Sequence, residues 1–145
     1  MYTSPMKSDQ VVSPDDDAFV ADFYAGRIPN QGFHHRDHLR LAWVQIHRLG
    51  IEEAAESVTR GILRFATHHG NADRYNDTMT RFWLRLVAMA ISVHPTMTFE
   101  ALLEAEPHLL EKDLPIRHWS RDRLMSPAAR AGWVDPDLRS LPLVS

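Results

Sequence analysis

His35-Arg36-Asp37-His38-Leu39-Arg40-Leu41-Ala42-Trp43-Val44-Gln45-Ile46-His47-Arg48-Leu49-Gly50 decides the fold class. Leu39, Ala42, Trp43 and Ile46 recur at spacings of three, one and three, which places them along one face of an α-helix. The spacing predicts a helix from about His35 to Leu49, closed by Gly50. Downstream, Ala54, Ala55, Val58, Ile62, Phe65 and Ala66 repeat the pattern and predict a third helix ending at His69 and Gly70, where glycine suits the cap. Tyr75, Met79, Phe82, Trp83, Leu86, Val87 and Ala90 predict a fourth, stopped by Pro95. Upstream, Ser13, Pro14 and three aspartates form a helix start, with a capping hydroxyl, proline in the first turn and acids at the positive end of the dipole. That first helix carries Phe19, Val20, Phe23 and Tyr24 and ends near Gly26.

After Pro95 a shorter element begins at Phe99 to Glu104, and Pro107, Pro115 and Pro127 divide the rest into turns and short helices, with Ser120 and Ser126 as caps. No stretch alternates as a strand does. The expected class is all-α: a single-domain antiparallel bundle of four main helices, covered on one side by a Pro-rich cap of short helices. Residues 1–13 read as a polar arm and 14–145 as one helical domain. Leu138, Leu141, Leu143 and Val144 suggest a tail laid over the body.

Composition narrows the function. The 145 residues fit one domain of roughly 100 to 200 residues. Sixteen Lys and Arg against nineteen Asp and Glu give a net charge of -3, which argues against non-specific nucleic-acid binding. With no cysteine, disulfides, thiolate metal sites and Cys nucleophiles are excluded. The N-terminal stretch lacks the apolar core of a signal peptide, and no apolar run nears the roughly 20 residues that span a bilayer. The expected compartment is cytoplasmic and no membrane partner is expected.

Nine histidines stand out. His34, His35 and His38 open the second helix, where residues three or four apart share a surface, so His35 with His38, or His34 with His38, can act together. A helical wheel puts His35 in line with the apolar stripe, His38 at its border and His34 further out, which favours His35 and His38. If the third helix returns antiparallel, His69 arrives at the same end, and the fourth helix starts there with Asp73, Tyr75, Asn76 and Asp77. Imidazoles and carboxylates converging in this way suit a divalent metal such as Zn or Fe, or proton transfer. The expected metal set is His35, His38, Asp77 and His69; the expected catalytic set is His35, His38, Asp77, Tyr75 and Asn76. Asp77 would be third ligand or orient a histidine, although on the wheel it points away from the apolar stripe and Asn76 points towards it. Capping is the plain structural role open to Asp73 and Asp77. The helix N-terminus biases both histidines towards the neutral form, which ligates metal or accepts a proton.

His47, His94, His108 and His118 are isolated. Arg74, Arg81 and Arg85 can hold an anionic substrate or simply be solvated. Phe65, Phe82, Trp83 and Trp43 have core spacing, with an aromatic substrate box as the secondary reading. Gly-rich phosphate loops, a nucleophile elbow and an HExxH helix are absent.

Phe33 to Trp43, Arg74 to Thr80, and Ser126 to Pro142 with its Pro-Asp-Leu-Arg segment together resemble a family of small helical bacterial proteins without an assigned activity. That family shows Phe-x-His-x-x-His-Leu near its start and a Tyr-His-Glu-Thr-like segment in the middle, and the resemblance covers most of residues 19 to 142. It implies a shared site at His35, His38, Asn76 and Asp77, with Asn76 standing where the family has His and Asp77 where it has Glu. The functional expectation is a small-molecule enzyme, metal-dependent or a cofactor-free isomerase or lyase; the alternative is a non-catalytic ligand-binding or protein-interaction domain. The expected partner is a small-molecule substrate, with a homodimer left open.

Overall fold

Ser13 accepts a hydrogen bond from the Asp16 amide while the Asp16 carboxylate accepts one from the Ser13 amide, a reciprocal cap that starts α1 (Pro14–Tyr24). The computed structural model describes residues 11–141, and all its regular structure there is helical. The main elements that follow are α2 (His35–Leu49), α3 (Ile51–His68) and α4 (Asp77–Val93), then the shorter α5 (Phe99–Ala105), α6 (Arg121–Leu124) and α7 (Pro127–Ala131). The protein is an all-α bundle with short helices after its four long ones.

Helix α2 is the central element and packs most extensively against α3 and α4. Its Leu39, Leu41, Trp43 and Val44 are buried, together with Val58 of α3 and Phe82, Leu84 and Val87 of α4. Gly50 alone links α2 to α3. It adopts a φ of 82°, a left-handed conformation that glycine reaches at no steric cost, and the reversal therefore needs no longer loop. Gln45 bonds Ser57, while Phe33 just ahead of α2 packs on Phe65 near the end of α3, so α3 returns antiparallel to α2. The Tyr24 hydroxyl lies 2.7 Å from Ser57 Oγ and ties α1 into the same junction. Arg40 secures α1 further by pairing with Asp16 at 2.9 Å and lying over the Phe19 ring. Gly61 lets α1 come close, because a Cβ there would sit 2.9 Å from the Tyr24 ring and 3.0 Å from the Phe23 ring.

The C-terminal segments close over α4. Thr78 donates to the Gly132 carbonyl and accepts from the Val134 amide, and the Trp119 indole donates to the Val134 carbonyl. Ser120 and Ser126 cap α6 and α7. Leu141 packs against the core, whereas Leu138 is exposed, its amide donating to the His118 carbonyl. Leu143 and Val144 lie outside the described residues. The expected arm over residues 1–13 needs correction at its end, because Val11 and Val12 are buried in the core and Ser13 is a cap. Its remainder, Met1 to Gln10, lies outside the described residues. Among the described residues, no helix is long and apolar enough to cross a membrane.

Candidate functional site

His35 and His38 lie in the first turn and a half of α2, and both line a cavity of about 450 Å3 between α2, α3 and α4. That volume falls within the roughly 300–1,000 Å3 of small-molecule sites. Its walls are apolar, with Phe33, Ile62, Phe65, Met79 and Trp83 among them. Tyr75, Asn76, Thr80, Arg74 and Lys112 supply polar groups, and among the described residues none that lines it is Asp or Glu.

The two imidazoles are held differently. His35 Nε2 is 2.8 Å from the Leu109 carbonyl oxygen, which can only accept, so Nε2 carries the hydrogen and the neutral ring keeps its lone pair on Nδ1. The His35 ring also meets Trp83 edge-on at 4.5 Å. Burial lowers the His35 pKa, and the positive charge of Lys112 pushes the same way against the raising effect of the Leu109 bond. The His38 ring packs edge-on against Phe33 at 4.3 Å and makes no hydrogen bond to the described residues. Its pKa is lowered to about 4, first by burial and then by His35, with His34 adding to the lowering and Asp37 opposing it. Both rings are therefore neutral at pH 7, in the direction already given by the helix N-terminus.

His38 gives stability a definite pH dependence. In the unfolded chain it takes up a proton near pH 6.5; in the fold it resists until about pH 4. The unfolded state thus binds more protons below pH 6.5, and stability is lost as pH falls from about 6.5 to about 4, by on the order of 3 kcal/mol from this group. Urea denaturation at a series of pH values is expected to show that loss, with a flatter profile in His38→Gln. An unchanged profile in the variant would mean that His38 is not a suppressed base.

The remaining expected residues divide. Tyr75 and Asn76 line the cavity with the histidines, whereas Asp77 does not. The Asp77 carboxylate borders neighbouring hollows instead, and accepts from the Tyr75 hydroxyl at 2.6 Å and from Arg81 at 2.6 Å. Burial, followed by this bond to Asp77, raises the Tyr75 pKa and keeps the phenol protonated. The His69 ring lies tilted against Phe65, 4.5 Å between centroids, and His69 is not a lining residue. Asp73 borders a neighbouring hollow together with Tyr75 and Asp77. His34 is exposed at the N-cap, its amide donating to Asp37. Of the expected metal set, His35 and His38 line this cavity, and Asp77 and His69 are not among its described lining residues. Among the described residues, no three or more His, Cys, Asp or Glu are grouped to hold a metal ion.

Asn76 is structural as well as a lining residue. Its Oδ1 accepts from the Met79 amide to cap α4, and its Nδ2 donates to the buried Leu124 carbonyl at 2.8 Å. Asn76→Ala removes the cap and orphans that carbonyl, so a loss of about 2–4 kcal/mol is expected by urea denaturation. A loss under about 1 kcal/mol would show that neither bond matters.

Two partners of the site escaped the sequence reading. Leu109, in the 3-10 turn Pro107–Leu110, orients His35, and Lys112 borders the cavity from the turn that follows it. Leu109 and Leu110 are the apolar residues of that segment, which is too short to show a period. Of the four aromatic residues with core spacing, Phe65 and Trp83 reach the cavity, while Trp43 and Phe82 are fully buried in the core. Comparison with protein-family models, with curated proteins and with solved structures finds no match, so the family resemblance rests on the motif residues alone.

Proposed function

We propose that the chain is a small-molecule enzyme in which His38 and His35 move protons within a mostly apolar cavity, as in a cofactor-free isomerase or lyase. The observation that carries this reading is the placement of His38: its ring lines the cavity without a hydrogen-bond partner among the described residues, together with a second imidazole oriented by a backbone carbonyl. A lone pair in that setting is available to take a proton from a bound molecule. The imidazolium formed is disfavoured by its apolar surroundings and gives the proton back, at the same carbon or a neighbouring one. His35 Nδ1, with its ring fixed through Nε2, is the second acceptor in the same cavity. The donor set favours this version over a metal-assisted one, because two imidazoles without a carboxylate make a poor divalent site.

Deuterium exchange in D2O tests the reading directly. Wild-type protein is incubated with a panel of enolisable ketones and 2-oxo acids, and incorporation at carbon is followed by NMR. Exchange of at least one compound is expected, with loss in the His35→Gln, His38→Gln double variant. Binding without exchange across the panel would make this a ligand-binding module. Exchange that requires added Zn2+ or Fe2+ would return the metal-dependent reading.

A further inference from the structure

Building on the acid–base reading, we propose that the substrate is a small organic monoanion, its carboxylate held by Arg74 and Lys112 and its apolar body set against Phe65, Met79 and Trp83. The chain as a whole carries more acids than bases, nineteen against sixteen, yet among the described residues the cavity lining holds both of these cations and no acid. The local charge therefore opposes the global one, which is the arrangement that draws an anion to one place on an otherwise acidic surface. Neither cation is engaged within the described residues. Arg40, Arg60, Arg81 and Arg117 all pair with carboxylates, whereas Arg74 and Lys112 have no ion pair or side-chain hydrogen bond.

The geometry gives the anion a second task. Lys112 acts electrostatically on His35, so a carboxylate that neutralises Lys112 removes a force holding that imidazole neutral. The bound substrate thereby makes the site more basic than it is when empty, and a neutral molecule of the same shape does not.

A matched pair of probes separates charge from shape: 3-phenylpropionate and 3-phenylpropionamide, titrated into the full-length protein and followed by NMR. The carboxylate is expected to bind about ten-fold more tightly than the amide, and to move the His35 titration to higher pH. Its affinity should fall with added salt while that of the amide does not. In Arg74→Gln, Lys112→Gln the preference should vanish with amide affinity retained. Equal binding of the two probes, binding of neither, or a salt-independent preference overturns the proposal; the salt series needs only wild-type protein. Anion preference without deuterium exchange on any compound would sink the acid–base reading and leave this site as a binding site. Exchange that is as fast on neutral ketones as on 2-oxo acids, with no anion preference, would sink this assignment alone.

Discussion

His38→Gln is expected to slow deuterium exchange by about 10²–10⁴-fold, the usual contribution of a positioned general base. Glutamine keeps a planar polar group of similar reach in contact with Phe33 but has no nitrogen lone pair to accept a proton. The fold should survive, since the His38 ring makes no hydrogen bond to the described residues. At low pH the variant should be the more stable protein, because the cost of protonating a buried imidazole has gone. Slower exchange combined with a flatter stability profile identifies a suppressed base. Slower exchange with general destabilisation would mean that His38 holds the cavity together instead. His35→Ala is a useful contrast. It removes the bond to the Leu109 carbonyl along with the base, and so should lower both rate and stability.

The largest stability effect is expected at Trp119. Its indole is fully buried, edge-on to Phe82 at 5.4 Å and to Trp133 at 5.5 Å, with Nε1 donating to the Val134 carbonyl at 3.0 Å. Trp119→Ala leaves a large void and an unpaired carbonyl, a loss of about 3–5 kcal/mol from a total in the range of about 5–15 kcal/mol. Trp119→Phe restores most of the contact and loses the hydrogen bond, with an expected cost of about 1–3 kcal/mol. Urea midpoints read both. A cost below about 1 kcal/mol for the alanine variant would show that the segment after α5 contributes little to holding the bundle.

The helices were legible where periodicity and capping agreed. The expected span of α2 coincides with its bounds because a strong apolar stripe runs directly into Gly50. For α3 the stripe begins at Ala54, yet the helix starts at Ile51, since a single left-handed glycine reverses the chain without spending further residues. Helix α4 starts at Asp77 and not at Tyr75 because Asn76 uses its side chain as the cap. The wheel also separated Asn76 from Asp77 correctly, and that one-residue rotation decides which of them sees the cavity. Val11 and Val12 were missed because two apolar residues in a polar stretch give no period. The Leu109 to Lys112 segment was missed for a deeper reason. Its place over the histidines depends on contacts distant in sequence, and local pattern says nothing about those.

Gly61 carries a consequence for the cavity that its position on α3 does not advertise. Phe23, which a methyl group at 61 would strike, also stacks on Phe33 and Phe65 at 4.9 and 5.7 Å, and those two rings are part of the wall behind His38. The missing side chain thus acts as a gauge between α1 and α3, and its setting is passed through three stacked rings to the chamber. Widening that gauge by one carbon in Gly61→Ala would retune which molecules fit inside, from a residue that touches none of them.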